Sequence, residues 1–448
     1  MNITEEFDTI AAISTPLGTG GVGVIRISGD KAFEIALKIL DKKDLPAGKI
    51  CHGWIVDGNK KIDEVIILPF KNPNSYTGED VIEIQCHGGV HVVRNILDVV
   101  LKNGARPAQR GEFTKRAFLN KRIDLSQAEA VDDLIHSKTS EFAIVSAKNL
   151  SGVLARKIQE IKKDIFEVSS KIVAGIDFPE DVAEPEYSYL IEHFEKSIKE
   201  IDEILKSAKS SDILRQGIKI AIAGRPNVGK SSLFNALLNL DRAIVTDIAG
   251  TTRDVIKENI DFGIPVTLID TAGIRQDNPV DKVEEIGIEY SKQSVAEADL
   301  TLFVYDITQG LTQDDMQIYE IIKNKAHIVI ANKSDLLTCE FKEILPNTFR
   351  ISACTKEGLE KLKEKIKNTV LDINPDDMEF VTNQRQQNCL LRAKAALENA
   401  LNGANNLQLQ DMIYIDVKSA LLSLDEITGE VINDEILENI FDHFCIGK

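Results

Sequence analysis

The stretch Gly224-Arg-Pro-Asn-Val-Gly229-Lys230-Ser231 constrains the fold of this chain more than any other. Two glycines five apart, followed by Lys and Ser, have the spacing of a phosphate-gripping loop, which works only between a buried strand and the start of a helix. Both flanks fit. Lys219-Ile-Ala-Ile-Ala223 is short and apolar, and Ser232-Leu-Phe-Asn-Ala-Leu-Leu238 opens a helical pattern. The glycines let backbone N–H groups close on phosphate oxygens, and the helix N-terminus adds partial positive charge. Lys230 is expected to reach the β- and γ-phosphates and to act in catalysis there, and Ser231 to ligate Mg2+.

Further motifs follow in the order a guanine-nucleotide switch requires. Asp270-Thr-Ala-Gly273 ends the apolar run Val266-Thr-Leu-Ile-Asp270. An Asp at a strand end suits holding Mg2+ through a bound water, and the Gly273 N–H can sense a γ-phosphate. Thr251-Thr252 lies in the polar loop before it, with Thr252 placed to ligate Mg2+ when triphosphate is bound. Asn332-Lys-Ser-Asp335 ends the apolar strand Ala326-His-Ile-Val-Ile-Ala331. The Asp335 carboxylate can accept from N1–H and N2–H2 of guanine, an edge adenine lacks, and Ser352-Ala-Cys354 would close over the base. A generic parallel sheet would not keep this order by chance, so the site is one for GTP. Its expected contacts are Asn227, Val228, Gly229, Lys230, Ser231 and Ser232, then Thr246, Asp247, Ile248, Ala249, Gly250, Thr251 and Thr252. Asp270, Thr271, Ala272 and Gly273 follow, then Asn332, Lys333, Asp335, Ser352 and Ala353. One position is unusual. Ras-like enzymes carry a water-orienting Gln after the Asp-x-x-Gly motif, and this chain has Ile274. Hydrolysis therefore needs another water-positioning group and another positive charge. Arg275, Asp281, Glu284, Glu285 and Glu289 lie nearby, although most of them read as the solvated first turn of a helix.

A chain of 448 residues should hold about two to four domains. Its 43% hydrophobic content suffices for real cores, and no apolar run approaches the roughly 18 residues of a membrane span. The acidic start Met1-Asn-Ile-Thr-Glu-Glu-Phe-Asp lacks a signal-peptide pattern. Six cysteines without metal or disulfide spacing fit a reducing cytoplasm. The net charge of −18 argues against a surface that coats nucleic acid, so any RNA must meet a local basic patch or a partner.

Three textures run along the chain. Residues 1–118 read as α+β, with strands over Thr9–Ser14, Val22–Ser28, Asp63–Phe70 and Val81–Gln85. Asp30 is expected to cap a helix over Lys31–Leu40, and Val90–Lys102 is an amphipathic helix. Residues 119–215 turn helical, with Ile191, Phe194, Ile198, Ile201 and Leu205 recurring at three and four as one apolar stripe. Residues 216–375 carry the strand–helix alternation of the GTP site, and 376–448 are helical again, so the GTP unit reads as an insertion in one helical domain. Two segments outside that unit stand out. Arg110–Ala130 is charge-rich on an amphipathic frame, and spacing alone favours a salt-bridged, exposed helix. The terminus Phe444-Cys445-Ile-Gly-Lys448 carries a Cys that fits a prenylation signal poorly and reads equally as an inert end.

Several phrases together resemble the MnmE (TrmE) family of tRNA modification GTPases. They are Thr15-Pro16 with Gly20-Gly-Val-Gly-Val-Ile-Arg26, Asn74-Ser-Tyr-Thr-Gly-Glu-Asp80, Cys86-His-Gly-Gly89, Arg110-Gly-Glu-Phe-Thr114, Arg116-Ala-Phe-Leu-Asn120, Thr246-Asp-Ile-Ala-Gly-Thr-Thr-Arg-Asp254 and Phe444-Cys-Ile-Gly-Lys448. The resemblance spans the chain. It implies a multidomain architecture: an α+β folate-binding-like N-terminal domain that dimerises, an α-helical domain, and an inserted Ras-like α/β P-loop GTPase domain. It implies a cytoplasmic homodimer, with no membrane association, that acts on tRNA with a flavoprotein partner, MnmG (GidA), in a heterotetramer or larger complex. The pair installs an aminomethyl or carboxymethylaminomethyl group at C5 of wobble uridine 34. The carbon comes from a tetrahydrofolate derivative, 5-formyl or 5,10-methylene; FAD and NADH belong to the partner, since this chain has no fingerprint for either. Folate contacts fall on Arg26, Glu83, Lys448 and Arg122, the last a departure from the family's usual Lys, with Lys121 adjacent. Cys445 is the residue associated with the modification chemistry. The family answers the Ile274 problem with K+, whose ligands correspond to Asn227, Thr246, Ile248 and Thr251, and with a water-positioning carboxylate at Glu284, Glu285 being the fallback. Two rivals remain: a ribosome-assembly GTPase, for which no basic RNA-binding appendage is evident, and a folate-dependent transfer enzyme that its GTPase merely regulates.

Overall fold

The computed structural model describes residues 8–240, 257–270, 295–337, 345–373 and 375–448. In chain order its strands are β1 (Ile10–Ile13), β2 (Gly20–Ser28), β3 (Cys51–Asp57), β4 (Lys60–Phe70), β5 (Val81–Gly88), β6 (Arg106–Pro107), β7 (Ile218–Ala223), β8 (Lys257–Asp261), β9 (Pro265–Asp270), β10 (Leu300–Asp306), β11 (His327–Asn332) and β12 (Phe349–Arg350). The helices are α1 (Ala32–Ile39), α2 (Val90–Lys102), α3 (Glu112–Leu119), α4 (Leu125–Ile135), α5 (Ser140–Leu150), α6 (Val153–Asp177), α7 (Tyr187–Lys206), α8 (Ala208–Gln216), α9 (Lys230–Leu238), α10 (Gln313–Ile322), α11 (Leu359–Val370), α12 (Gln384–Asn405), α13 (Gln410–Thr428) and α14 (Asp434–Phe441). The chain divides into two compact units. One joins the chain up to Asp132 with Leu421–Lys448, and the other is Asp133–Ala420.

In the first unit a sheet runs in the order β3-β4-β5-β2-β1-β6. Strands β3, β4 and β5 alternate, as half-buried strands do, whereas β1 and the end of β2 are buried at nearly every position. Ile25, Ile27, Ile67, Ile82 and Ile84 face α1 and α2, which return Ile35, Ile39, Val93, Ile96 and Val100 to a common core. Each such fully buried aliphatic side chain contributes about 1.5–3 kcal/mol. The opposite face carries Arg26 and Glu83, which are cross-strand partners in the β2–β5 register. Two expectations need correction here. Asp30 does not cap the first helix: α1 starts from Lys31 with no side-chain cap, and Thr9 Oγ1 accepts the Lys31 N–H instead. Nor is the charge-rich stretch after Arg110 an exposed helix. Glu112, Phe113, Thr114, Arg116 and Ala117 of α3 are buried, because Arg116 donates both to Glu112 and to Glu79 and so satisfies the charges internally.

In the second unit α6 and α12 pack on α7. The buried stripe of α7 is Leu190, Phe194, Ser197, Ile201 and Ile204, with Ile191, Ile198 and Leu205 at its half-buried edge. The apolar periodicity is real, but small Ser197 lies at its centre, invisible to a count of hydrophobic residues. The second sheet runs β12-β11-β10-β7-β9-β8. All its neighbours are parallel except the β8–β9 hairpin. The strand order departs in both directions from β7, and such a switch point opens a crevice at the carboxyl ends of the strands. The fold is therefore an α+β unit together with a helical and Ras-like α/β unit.

Candidate functional site

The loop between β7 and α9 sits at that switch point. Gly224 has φ +155°, and a Cβ there would fall 2.2 Å from the carbonyl oxygen of Val304 in β10. Gly229, at φ +98°, would drive a Cβ to 2.3 Å from Asn332 Nδ2. The loop thus closes onto β10 and β11 only because neither position carries a side chain. Asn227 adopts φ +66° and is exposed, as are Ser231 and Ser232. Lys230 Nζ donates to the carbonyls of Gly224 at 2.7 Å and Arg225 at 2.9 Å, which centres its charge on the loop. Phosphate groups fit this cradle: exposed backbone, a helix N-terminus, a lysine and a hydroxyl at the first helical turn.

The end of β11 supplies the other half. Asn332, almost fully buried, donates from Nδ2 to the Val228 carbonyl at 2.9 Å and accepts from the Ala353 N–H at Oδ1, 3.0 Å. One amide thereby joins the phosphate loop to the Ser352–Ala353 loop. Ser352 Oγ donates to Asp335 Oδ1 at 2.5 Å, orienting an exposed carboxylate. Lys333 Nζ meets Asp306 Oδ2 at 2.7 Å. Burial pushes the Asp306 carboxyl up, but the bonds from Lys333 and Thr308 outweigh it and hold its pKa below the ordinary value. Thr246, Asp247, Ile248, Ala249, Gly250, Thr251, Thr252, Thr271, Ala272, Gly273, Ile274 and Glu284 lie outside the described residues, while Asp270 ends β9 beside Ile222 of β7.

The residues expected to bind folate gather in the first unit. Arg26 Nε donates to Glu83 Oε1 at 2.8 Å. The Arg26 guanidinium lies 4.9 Å from the Tyr76 ring centre, the Arg122 guanidinium 5.2 Å and the Lys448 ammonium 5.8 Å. Arg122 also donates to the Tyr76 carbonyl at 2.9 Å, whereas Lys121 sits in the turn at φ +58°. Three cations and one carboxylate around an aromatic ring suit a flat, anionic ligand. Tyr76, held by its hydroxyl to Thr114 Oγ1 at 2.9 Å, was not singled out in the sequence; it stands within the quoted phrase Asn74–Asp80, but nothing in the spacing marks it as the centre. The chain terminus docks here. Ser14 Oγ and Arg26 Nη1 both donate to the Gly447 carbonyl at 3.2 Å, and the Phe113 N–H donates to the Lys448 backbone oxygen at 3.2 Å. Burial, then the charge of Arg26, lowers the Lys448 pKa below the ordinary lysine value. Cys445 is exposed at the edge of this docked tail.

Two family models match the chain. The GTP-binding protein TrmE N-terminus matches residues 9–122, and the MnmE helical domain matches residues 125–445. The tRNA modification GTPase MnmE of Caldicellulosiruptor saccharolyticus is 46% identical over 99% of this chain and 100% of its own length. Its counterpart in Lactococcus lactis subsp. cremoris is 44% identical, with 100% of both covered. A solved structure of Aquifex aeolicus Era bound to GDP·AlF4− is 30% identical over 40% of this chain and 66% of that one, with a TM-score of 0.27. Among the described residues no helix is long and apolar enough to cross a membrane. With both family models matched in sequence and full-length relatives at this identity, the chain belongs to the MnmE family of tRNA modification GTPases.

Proposed function

We propose that the chain hydrolyses GTP to drive modification at C5 of wobble uridine 34 in certain tRNAs, acting in the cytoplasm as a homodimer. In this reading reduced folate supplies the carbon, and an FAD- and NADH-using partner of the MnmG type supplies the redox step. The observation that carries it is the presence in one family-matched chain of a guanine-type phosphate loop and a separate cationic, aromatic site at the docked terminus. The domain limits 1–118, 119–215, 216–375 and 376–448 belong to the same reading.

Lys230 and the N-terminus of α9 would neutralise the phosphate oxygens, and Asp335 would select guanine. Ser231, with Thr252, would hold Mg2+, and Asn227, with Thr246, Ile248 and Thr251, would hold K+; when bound, the cations supply positive charge where negative charge develops. Glu284 is assigned the water-orienting role that Ile274 cannot fill. Arg26, Glu83, Arg122 and Lys448 would hold a reduced folate against Tyr76, leaving the Cys445 thiol exposed for the modification step. Such an anion raises the lowered pKa of Lys448, so at alkaline pH folate binding takes up a proton. Calorimetry in two buffers of different ionisation enthalpy reads this uptake, and zero uptake removes Lys448 from the anion site.

Steady-state GTP turnover in matched KCl and NaCl buffers, at several protein concentrations, tests the nucleotide half. Turnover is expected to be stimulated by K+ and to rise with concentration. Glu284→Ala is expected to keep nucleotide affinity while losing about a hundredfold or more in turnover. Normal turnover in that variant removes the assignment. The tRNA half is tested by nucleoside analysis of tRNA treated with the chain, the flavoprotein, GTP and folate, where Lys230→Ala should abolish the product.

A further inference from the structure

The segment from Asp306, the last residue of β10, to Asp315, in the first turn of α10, touches both loops of the nucleotide site. At its start Asp306 receives the Lys333 ammonium. At its end Arg225 Nε lies 3.1 Å from Asp315 Oδ2. Between them Arg225 Nη2 donates to Gln309 Oε1 at 2.7 Å, and Gln309 Nε2 faces Asp306 Oδ2 at 3.5 Å. Asp315 cannot swing away: it is fully buried, and its Oδ2 caps α10 by accepting from both N and Oγ1 of Thr312. Arg225 itself is a variable position of the phosphate-loop pattern, so the motif assigns it nothing. Its carbonyl, however, is one of the two on which the Lys230 ammonium rests.

From this geometry we infer that Arg225 is a positioning residue for the GTP site, fastened through Gln309 and Asp315 to the segment that also fastens Lys333. The phosphate loop and the base loop then share one support in addition to the Asn332 amide. Moving the Arg225 side chain moves the peptide that aims Lys230, so the grip on the phosphates weakens without any change in the groups that touch them. This rests on the GTP reading of the site, and it concerns binding more than the chemical step.

The test measures GTP KM, kcat and thermal midpoint of the full chain for four variants. Arg225→Ala is expected to raise KM about tenfold with kcat within about twofold. It also leaves a buried carboxylate without its cation, so its thermal midpoint falls. Arg225→Lys, a point charge that can serve one partner but not both, is expected to recover part of the affinity, and Gln309→Ala to lose part of it. The deciding variant is Arg225→Ala combined with Asp315→Asn. Removing the buried charge restores the thermal midpoint, and the amide oxygen still caps Thr312, yet KM is expected to stay raised. If KM returns to the wild-type value together with the midpoint, the tie is only structural and the inference fails. An unchanged KM in Arg225→Ala overturns it outright. A wild-type chain that turns over no GTP instead removes the reading on which it rests.

Discussion

Gly447→Ala is expected to lower reduced-folate affinity about a hundredfold or more while leaving GTP turnover within about twofold. Gly447 has φ +96°, and a Cβ there would stand 2.4 Å from the Ile13 carbonyl oxygen and 3.0 Å from the Ser14 Cα. Both obstacles are backbone of β1 and the turn after it, so neither can rotate away. The unusual backbone conformation alone costs about 1–3 kcal/mol for a residue with a side chain, and the overlap adds to that. Against it stand the hydrogen bonds from Ser14, Arg26 and Phe113 to the tail, worth about 0.5–1.5 kcal/mol each. The tail is therefore expected to leave its seat, removing Lys448 from the Tyr76 ring and freeing Arg26 from the Gly447 carbonyl. A suitable control is Gly48→Ala, which has φ +73° but open space around it and should bind folate almost normally. Fluorescence titration with 5-formyl-tetrahydrofolate measures both variants. Wild-type affinity in Gly447→Ala would show that the docked tail does not build the site.

The two sites differ in how openly the sequence displays them, and the reason is physical. A phosphate loop is built from consecutive residues whose glycines are demanded by close approach to Val304 and Asn332, so its chemistry is written in one short phrase. Asn332, Lys333 and Asp335 are likewise read from one strand end. The Tyr76 site is assembled from five separate stretches, and only resemblance joined Arg26, Glu83, Arg122 and Lys448 before the fold did. Tyr76 escaped because a lone tyrosine in a turn has no periodicity to betray it. Arg116 and Glu112 read as exposed for a related reason. Charge reads as surface until a partner such as Glu79 is known to lie opposite, and that partner is 37 residues away. The hairpin strand β8 is not legible because Lys257–Asp261 holds one apolar residue, Ile260, among charged and polar neighbours; the buried Phe262 and Ile264 that anchor the hairpin lie in its turn, around Gly263 at φ +75°.

Asn332→Ala is expected to raise the dissociation constant for GTP about a hundredfold and to lower the thermal midpoint of the chain. The side chain is buried and makes two bonds of opposite sense, donating to Val228 and accepting from Ala353. Truncation leaves a buried carbonyl and a buried N–H unpaired. Such losses cost about 1–3 kcal/mol each, and if about 2.7 kcal/mol of the total falls on binding, the affinity changes a hundredfold. It falls on binding because the two groups belong to the phosphate loop and to the loop expected over the base, so losing the bridge lets them separate. Asn332→Asp separates this account from simple loss of volume. Aspartate has the same shape and keeps the acceptor for the Ala353 N–H, but it sets a carboxylate oxygen against the Val228 carbonyl, where an N–H is needed. The isosteric variant is therefore expected to bind GTP no better than the alanine variant. Titration with a fluorescent GTP analogue gives both constants. Affinity within about threefold of wild type in Asn332→Asp would mean that the bond to Val228 carries little, and the joining of the two loops would then rest on the remaining contacts of the sheet end.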